Sequence, residues 1–203
     1  MKSNFLSRLL IAPLVFFTAC LGTEQKTSVA EKKDSVKTAV ASDSLIRENK
    51  MYLSDCKNLL VEAKKMDSIL LKELEVKKDV ATKGIKAFTD YAFYCSNDSL
   101  VPIYLIKTAQ VAQSINNIPQ AKIVLDKCIA DYPASKHRPA ALFLLAQLYD
   151  EATYLNNEAE AKKLYQQIIS EYPKSDWAKS SQGALTFVGK SDAQIMEELK
   201  KKK

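Results

Sequence analysis

The sequence predicts an all-α protein, a solenoid of antiparallel helix pairs preceded by amphipathic helices, and three observations carry that prediction. The segment Ala121–Ser135 returns 40 positions later as Ala161–Ser175, with Ala-Lys at the start and Tyr-Pro-x-Ser at the end of both copies. A second match, offset by 37, sets Pro102, Leu105, Ala109 and Gln110 against Pro139, Leu142, Ala146 and Gln147. Self-similarity at such a period marks a stacked helical array. Finally, 203 residues contain only four glycines and six prolines, few for a fold rich in tight turns.

Taken in order, the chain opens with Lys2 and Arg8, an apolar run from Leu9 to Phe17, and small residues leading to Cys20. This is the layout of a secretory signal, too short for a permanent membrane span. The ending Phe17-Thr18-Ala19-Cys20 resembles the lipobox of bacterial lipoproteins, with Phe17 where leucine is usual. The resemblance implies a signal peptide over residues 1–19 and lipid attachment at the Cys20 thiol. It also implies acylation of the new amino terminus, palmitate being such a chain. Acyl chains, at about 0.8 kcal/mol per buried methylene, would hold the protein on a membrane. Leu21 is not the aspartate that retains some lipoproteins in the inner membrane, which points to the outer membrane.

Residues 20–43 follow as the lipidated cysteine and a polar stretch without aromatics, expected to be a flexible tether. Residues 44–77 are expected to be helical. Asp43 or Ser44 is placed to cap a helix carrying Ile46, Leu53 and Leu60 at heptad spacing, a seam for packing on its own domain or for self-association. A further helical stretch is expected through Ile69, Leu70, Leu71 and Leu74.

The repeats occupy residues 78–189. In the first unit Leu105, Ala109 and Ala112 share a helix, Asn116-Asn117-Ile118-Pro119 turns the chain, and Ala121, Leu125 and Cys128 lie on the return helix. In the second, Leu142, Leu145, Ala146 and Tyr149 lead through Asn156-Asn157 to Ala161, Tyr165 and Ile168. Small residues let the paired helices approach closely, and Pro133 and Pro173 stop the second helix of each pair. Ser135 and Ser175 are placed to cap the helices that follow.

These positions resemble the tetratricopeptide repeat. The second unit follows its pattern through Leu142, Leu145, Ala146, Tyr149, Ala161, Tyr165 and Pro173, with a turn three residues longer. In the first unit Leu105, Ala109, Ala121, Leu125 and Pro133 follow it, while Thr108 and Ala112 depart. Gly84 and Phe88 upstream, and Leu185 downstream, sit where flanking half-units belong. The Tyr-Pro-x-Ser endings resemble the repeats of bacterial envelope lipoproteins, namely the BamD-type outer-membrane assembly lipoprotein and the Tol-Pal system coordinator. The array is shorter than the five repeats usual in the first of these.

Residues 190–203 are expected to form a capping helix with a lysine tail. Gly189 is read as breaking the preceding helix, Ser191-Asp-Ala-Gln194 has capping-box spacing, and Ile195, Met196 and Leu199 form a short apolar stripe to seal the last repeat.

The net charge of +6 owes everything to the two ends. Without Lys2, Arg8 and Lys200 to Lys203, 24 basic residues face 24 acidic ones, which argues against nucleic acid as a partner. The chain shows neither a Gly-rich phosphate loop nor Cys-x-x-Cys, and its single histidine, His137, has no neighbouring ligands by spacing, so no cofactor, no metal and no enzyme activity are expected. A Cys95 or Cys128 pairing with His137 is the one nucleophilic alternative. Cys56, Cys95 and Cys128 are read as three buried thiols, with one bridge and a leftover thiol as the alternative.

The tetratricopeptide resemblance implies a concave groove lined by the first helix of each pair, which receives a peptide or a partner helix. By position it would comprise Gln110 and Gln113 in the first unit and Gln147, Asp150 and Glu151 in the second. The implied function is protein–protein scaffolding in the bacterial envelope, with other envelope proteins or peptides as partners. An oligomer of the Tol-Pal coordinator kind, or a non-catalytic carbohydrate-binding accessory using exposed Tyr91, Tyr94, Tyr104, Tyr154 and Trp177, are the alternatives.

Overall fold

The computed structural model describes residues 34–201 apart from residue 74. The expected signal peptide, the expected lipidation site at Cys20 and the first part of the expected tether lie outside the described residues, as do the side chains of residues 34–44, Asp192 and Leu199. The chain divides into two units, Met1–Leu45 and Ile46–Lys203, and the packing described here is that of the second.

Among the described residues there are eight helices and no strand: α1 (Asp34–Leu70), α2 (Lys78–Tyr94), α3 (Val101–Ser114), α4 (Ile118–Asp131), α5 (Arg138–Asp150), α6 (Glu158–Glu171), α7 (Asp176–Leu185) and α8 (Asp192–Lys201). From α2 to α7 each helix packs on the next, and α3 touches α5 as α5 touches α7. The first helices of successive pairs therefore lie side by side, which is the arrangement of a helical repeat array. The expected all-α, tetratricopeptide-like solenoid is what the chain forms.

The small residues do the expected work. Ala109, Ala112, Ala121, Ala146 and Ala161 are buried, and Leu105, Leu125, Leu142, Tyr165 and Ile168 fill the space beside them. Thr108, a departure from the repeat pattern, is buried and satisfies its hydroxyl on the Tyr104 carbonyl at 2.8 Å. Cys128 points its thiol at the Pro102 carbonyl, 3.6 Å away, tying α4 to the start of α3.

Each Asn-Asn turn divides two tasks between its residues. Asn116 and Asn156 take left-handed conformations (φ 57° and 45°), which asparagine tolerates better than most residues. Asn117 and Asn157 then cap α4 and α6, their side chains accepting from the amides of Gln120 and Glu160 at 3.4 and 3.2 Å. Ser175 caps α7 in the same way, accepting from the Ala178 amide at 3.1 Å. Ser135 does not cap α5. Its hydroxyl accepts from the His137 amide within the turn, and α5 starts at Arg138 with Pro139 in its first turn, whose missing donor suits that position.

The N-terminal region departs from expectation. The first described residues, from Asp34, are already helical, inside the segment 20–43 read as tether, and Ala, Val and Lys there offer nothing to break a helix. Asp67 interrupts the heptad but not the helix, and it accepts an ion pair from Lys107 of α3 at 2.6 Å. The helix ends at Leu70, so Leu71 lies in an exposed turn rather than in a further helical stretch. The buried stripe of α1 is also not the heptad seam. Cys56, Ala63 and Met66 are buried, with Tyr52, Leu59 and Leu70 packed beside them, whereas Ile46 and Leu53 remain 64% and 54% exposed.

Two contacts lock α1 to α2. Cys56 is bonded to Cys95 across a Cα–Cα distance of 5.6 Å, so the bridge with a leftover thiol replaces the three free thiols that were expected. Helix geometry places Cys56 on the buried stripe facing the end of α2, where Cys95 is the C-cap. Farther along, Leu70 fills the gap left by Gly84: a Cβ there would lie 2.6 Å from Leu70 Cδ1.

At the other end, α7 stops at Leu185, four residues before Gly189. Gly189 instead takes φ 79° to turn the chain into α8. The capping box is present: Ser191 N donates to Gln194 Oε1 at 2.8 Å, and Gln194 N donates to Ser191 Oγ at 3.4 Å. Of the stripe read from the sequence, Ile195 is half-buried, Met196 is 55% exposed, and the Leu199 side chain lies outside the described residues.

Candidate functional site

A cavity of about 620 Å³ opens beside the C-terminal end of α5, roofed by the segment that links α7 to α8. Gln147, Asp150 and Glu151 all line it. Their spacing of three, four and one places them on the face of α5 that continues past Phe143, one turn earlier. Gln110 and Gln113 lie on α3, outside this lining; both retain solvent contact, with Gln113 the more covered. Of the five groove residues expected from sequence, the structure gathers three.

The walls come from residues the sequence did not assign to the groove. Phe143 stacks at an angle against Tyr165 and Trp177, with ring centroids 5.5 and 5.3 Å apart. Phe187 and Ile195 approach from the α7–α8 side. Helical spacing marks Phe143, which sits four residues before Gln147 on the same face. It does not mark Phe187 and Ile195, because their approach depends on the turn at Gly189.

The polar lining is predominantly acidic. Asp150, Glu151 and Glu158 face one lysine, Lys190, which is already paired with Glu198 at 2.8 Å. Glu158 pairs with Lys162 of the next helical turn at 3.3 Å and lies against Gly189, where a Cβ would collide with its carboxylate. Glu151 Oε1 accepts from the amide and hydroxyl of Thr153 at 3.3 and 3.1 Å. Burial raises the Asp150 carboxyl above the usual carboxylate range, and Glu158 and Glu151 add to the rise, while the Gly189 amide and Lys162 oppose it.

The thiols are not set up for nucleophilic chemistry. Cys95 is in a disulfide, and burial pushes the Cys128 thiol up to about 12, so it carries no appreciable thiolate at neutral pH. Burial and Lys136 lower His137 below its ordinary value. Among the described residues no group of three or more His, Cys, Asp or Glu could hold a metal. The aromatic residues proposed for sugar binding are dispersed by the fold. Tyr91 and Tyr104 meet edge to face in the core, Tyr94 stacks on Tyr52, and Trp177 backs Phe143.

This geometry defines a class: an all-helical repeat array with an open groove at the end of its inner helices. Residues 140–175, spanning α5, α6 and the second Tyr-Pro-x-Ser ending, match the tetratricopeptide repeat family. The chain thus carries a tetratricopeptide repeat over these residues, and such repeats are protein- and peptide-binding modules that are typically non-catalytic. No curated protein matches the chain.

Proposed function

We propose that this chain is a scaffold held by lipid on Cys20 at the periplasmic face of the bacterial outer membrane, where it binds other envelope proteins or peptides and takes part in outer-membrane protein assembly. The observation that carries the binding role is the cavity on α5, where Gln147, Asp150 and Glu151 converge beside the aromatic wall of Phe143. Amide and carboxylate groups over an aromatic floor suit an extended polypeptide, which offers backbone donors and side chains together. The envelope location is supported by the lipobox-like Phe17-Thr18-Ala19-Cys20 and by the Cys56–Cys95 bridge, since disulfides persist in oxidising compartments.

Affinity capture from crosslinked envelope membranes tests this, comparing the wild type with a Gln147→Arg, Asp150→Arg double variant. Recovery of outer-membrane assembly components with the wild type and their loss with the variant is the expected result. Equal recovery from both would reject the groove.

One observation favours a second reading, an oligomer resembling the Tol-Pal coordinator. Ile46 and Leu53 leave an apolar seam uncovered on α1. Sedimentation of the full chain as a monomer at micromolar concentration would remove that reading.

A further inference from the structure

The cavity on α5 contains a hydroxyl with nothing to bind. Tyr165 is 1% exposed and lines the cavity, yet its phenolic oxygen has no hydrogen-bond partner among the described residues. Because Tyr165 lines the cavity, an occupant can reach this oxygen and supply the donor that the protein does not. The same wall holds Asp150 close enough to act electrostatically on the Tyr165 hydroxyl.

The groups around this hydroxyl are complementary to a cation. The lysines nearby are engaged elsewhere, Lys190 with Glu198 and Lys162 with Glu158, while Asp150 and Glu151 have no ion pair among the described residues. Phe143, Phe187 and Ile195 offer apolar surface deep enough for an aliphatic stem. Asp150 accepts from the Gly189 amide and Glu151 from Thr153, but neither gains a paired positive charge from these donors, and a neutral peptide segment would supply none.

We propose that this cavity receives a single cationic side chain, arginine or lysine, from a partner polypeptide. The stem lies along Phe143 and Phe187, and the charged head donates to Asp150, Glu151 and the Tyr165 oxygen. Gln147 at the cavity mouth meets the adjoining backbone. Arginine is the better fit, because its planar fork offers five donors to three separate acceptors and stacks on an aromatic face. This inference rests on the groove reading above and names the chemistry of its anchor.

The test titrates the full chain with capped heptapeptides, Gly-Ala-Ala-x-Ala-Ala-Gly, in which x is arginine, lysine or the uncharged isostere citrulline. Amide shifts of Ala184, Gly189 and Lys190 are followed by NMR. Arginine is expected to bind at least tenfold more tightly than citrulline, with lysine between them. Tyr165→Phe should weaken arginine binding several-fold without lowering the melting temperature, because the hydroxyl it removes has no partner in the free protein. Asp150→Asn should weaken it at least tenfold. Equal binding of citrulline and arginine, or shifts confined to residues outside the cavity, overturns the proposal. So does arginine binding that is indifferent to both variants. If the arginine peptide fails while membrane capture still depends on Gln147 and Asp150, the cation site falls and the groove stands.

Discussion

The hydroxyl of Tyr132, at the C-terminus of α4, donates to the carbonyl of Ser96 at 2.7 Å, reaching back across 36 positions of sequence. Tyr172, its counterpart at the end of α6, accepts from Arg138 at 3.0 Å, 34 positions back. The repeated tyrosine therefore ties the end of one helix pair to the turn that precedes that pair. Arg138 also pairs with Glu171 and donates to the Ile129 carbonyl at 3.3 Å, joining α4, α5 and α6 at one point. Tyr132→Phe and Tyr172→Phe are each expected to cost about 1 kcal/mol, the net worth of one hydrogen bond. Arg138→Met should cost more, about 2 kcal/mol, since it frees three acceptors at once. Urea unfolding of the three variants, with unchanged m-values, checks the ranking.

The bridge between Cys56 and Cys95 closes a loop of 39 residues, and the chain-entropy account assigns such a loop about 4 kcal/mol at most. Reduction, or the paired Cys56→Ala and Cys95→Ala variant, is expected to lower stability by a substantial part of that amount and to loosen α1 first. Peptide mapping without reductant should recover the 56–95 link. Cys128 should resist alkylation in the native protein and react after unfolding, because it is buried and held protonated.

The parts of this structure that were legible in the sequence are those written in local chemistry. Asn-Asn gives a left-handed residue followed by a cap, and Tyr-Pro stops a helix, so the order and turns of α3 to α6 were legible, although Ser135 does not cap α5 as expected. The stripe of α1 was not legible. Heptad spacing selects Ile46, Leu53 and Leu60, but which face is buried depends on what α2 and α3 offer. They offer Cys95 and Gly84, which favour Cys56, Ala63 and Leu70. The cysteine pairing was hidden for the same reason, since three cysteines fix no connectivity. At the cavity, the α5 residues followed from the repeat register. Tyr165 had been assigned only a packing role, which its ring does fulfil against Phe143 while its hydroxyl is left over.

Two glycines on the C-terminal side predict opposite responses to the same substitution. Gly183 lies within α7 with open space where a Cβ would go, so Gly183→Ala should stabilise by up to about 1 kcal/mol through helix propensity. Gly189 holds a left-handed conformation against the Glu158 carboxylate, so Gly189→Ala should cost about 1–2 kcal/mol and displace Glu158. Thermal unfolding distinguishes them: the first variant should melt above the wild type and the second below it.

Asp150 places binding and stability in opposition, and pH separates the two. Because burial raises its folded-state value, the native protein holds this proton more tightly than the unfolded chain. That contribution is full below the ordinary aspartate value of 3.8 and is lost as pH rises through the raised folded value, leaving an ionised carboxylate that disfavours folding at neutral pH. Glu171 acts in the reverse sense. Its hydrogen bond from Gln167 and its pairing with Arg138 lower its value, so its contribution is present above the ordinary 4.5 and disappears as pH falls through the lowered one. Asp150→Asn should therefore melt above the wild type at pH 7, with the gain shrinking towards pH 4, while Glu171→Gln should melt below it at pH 7. A group kept ionised at a cost to its own fold, on the wall of a cavity, is placed for a ligand that supplies the missing positive charge. The arginine peptide should accordingly raise the melting temperature of the wild type at pH 7 and have little effect on Asp150→Asn. A wild type that gains nothing from the peptide, or a variant no more stable than the wild type, would contradict this account.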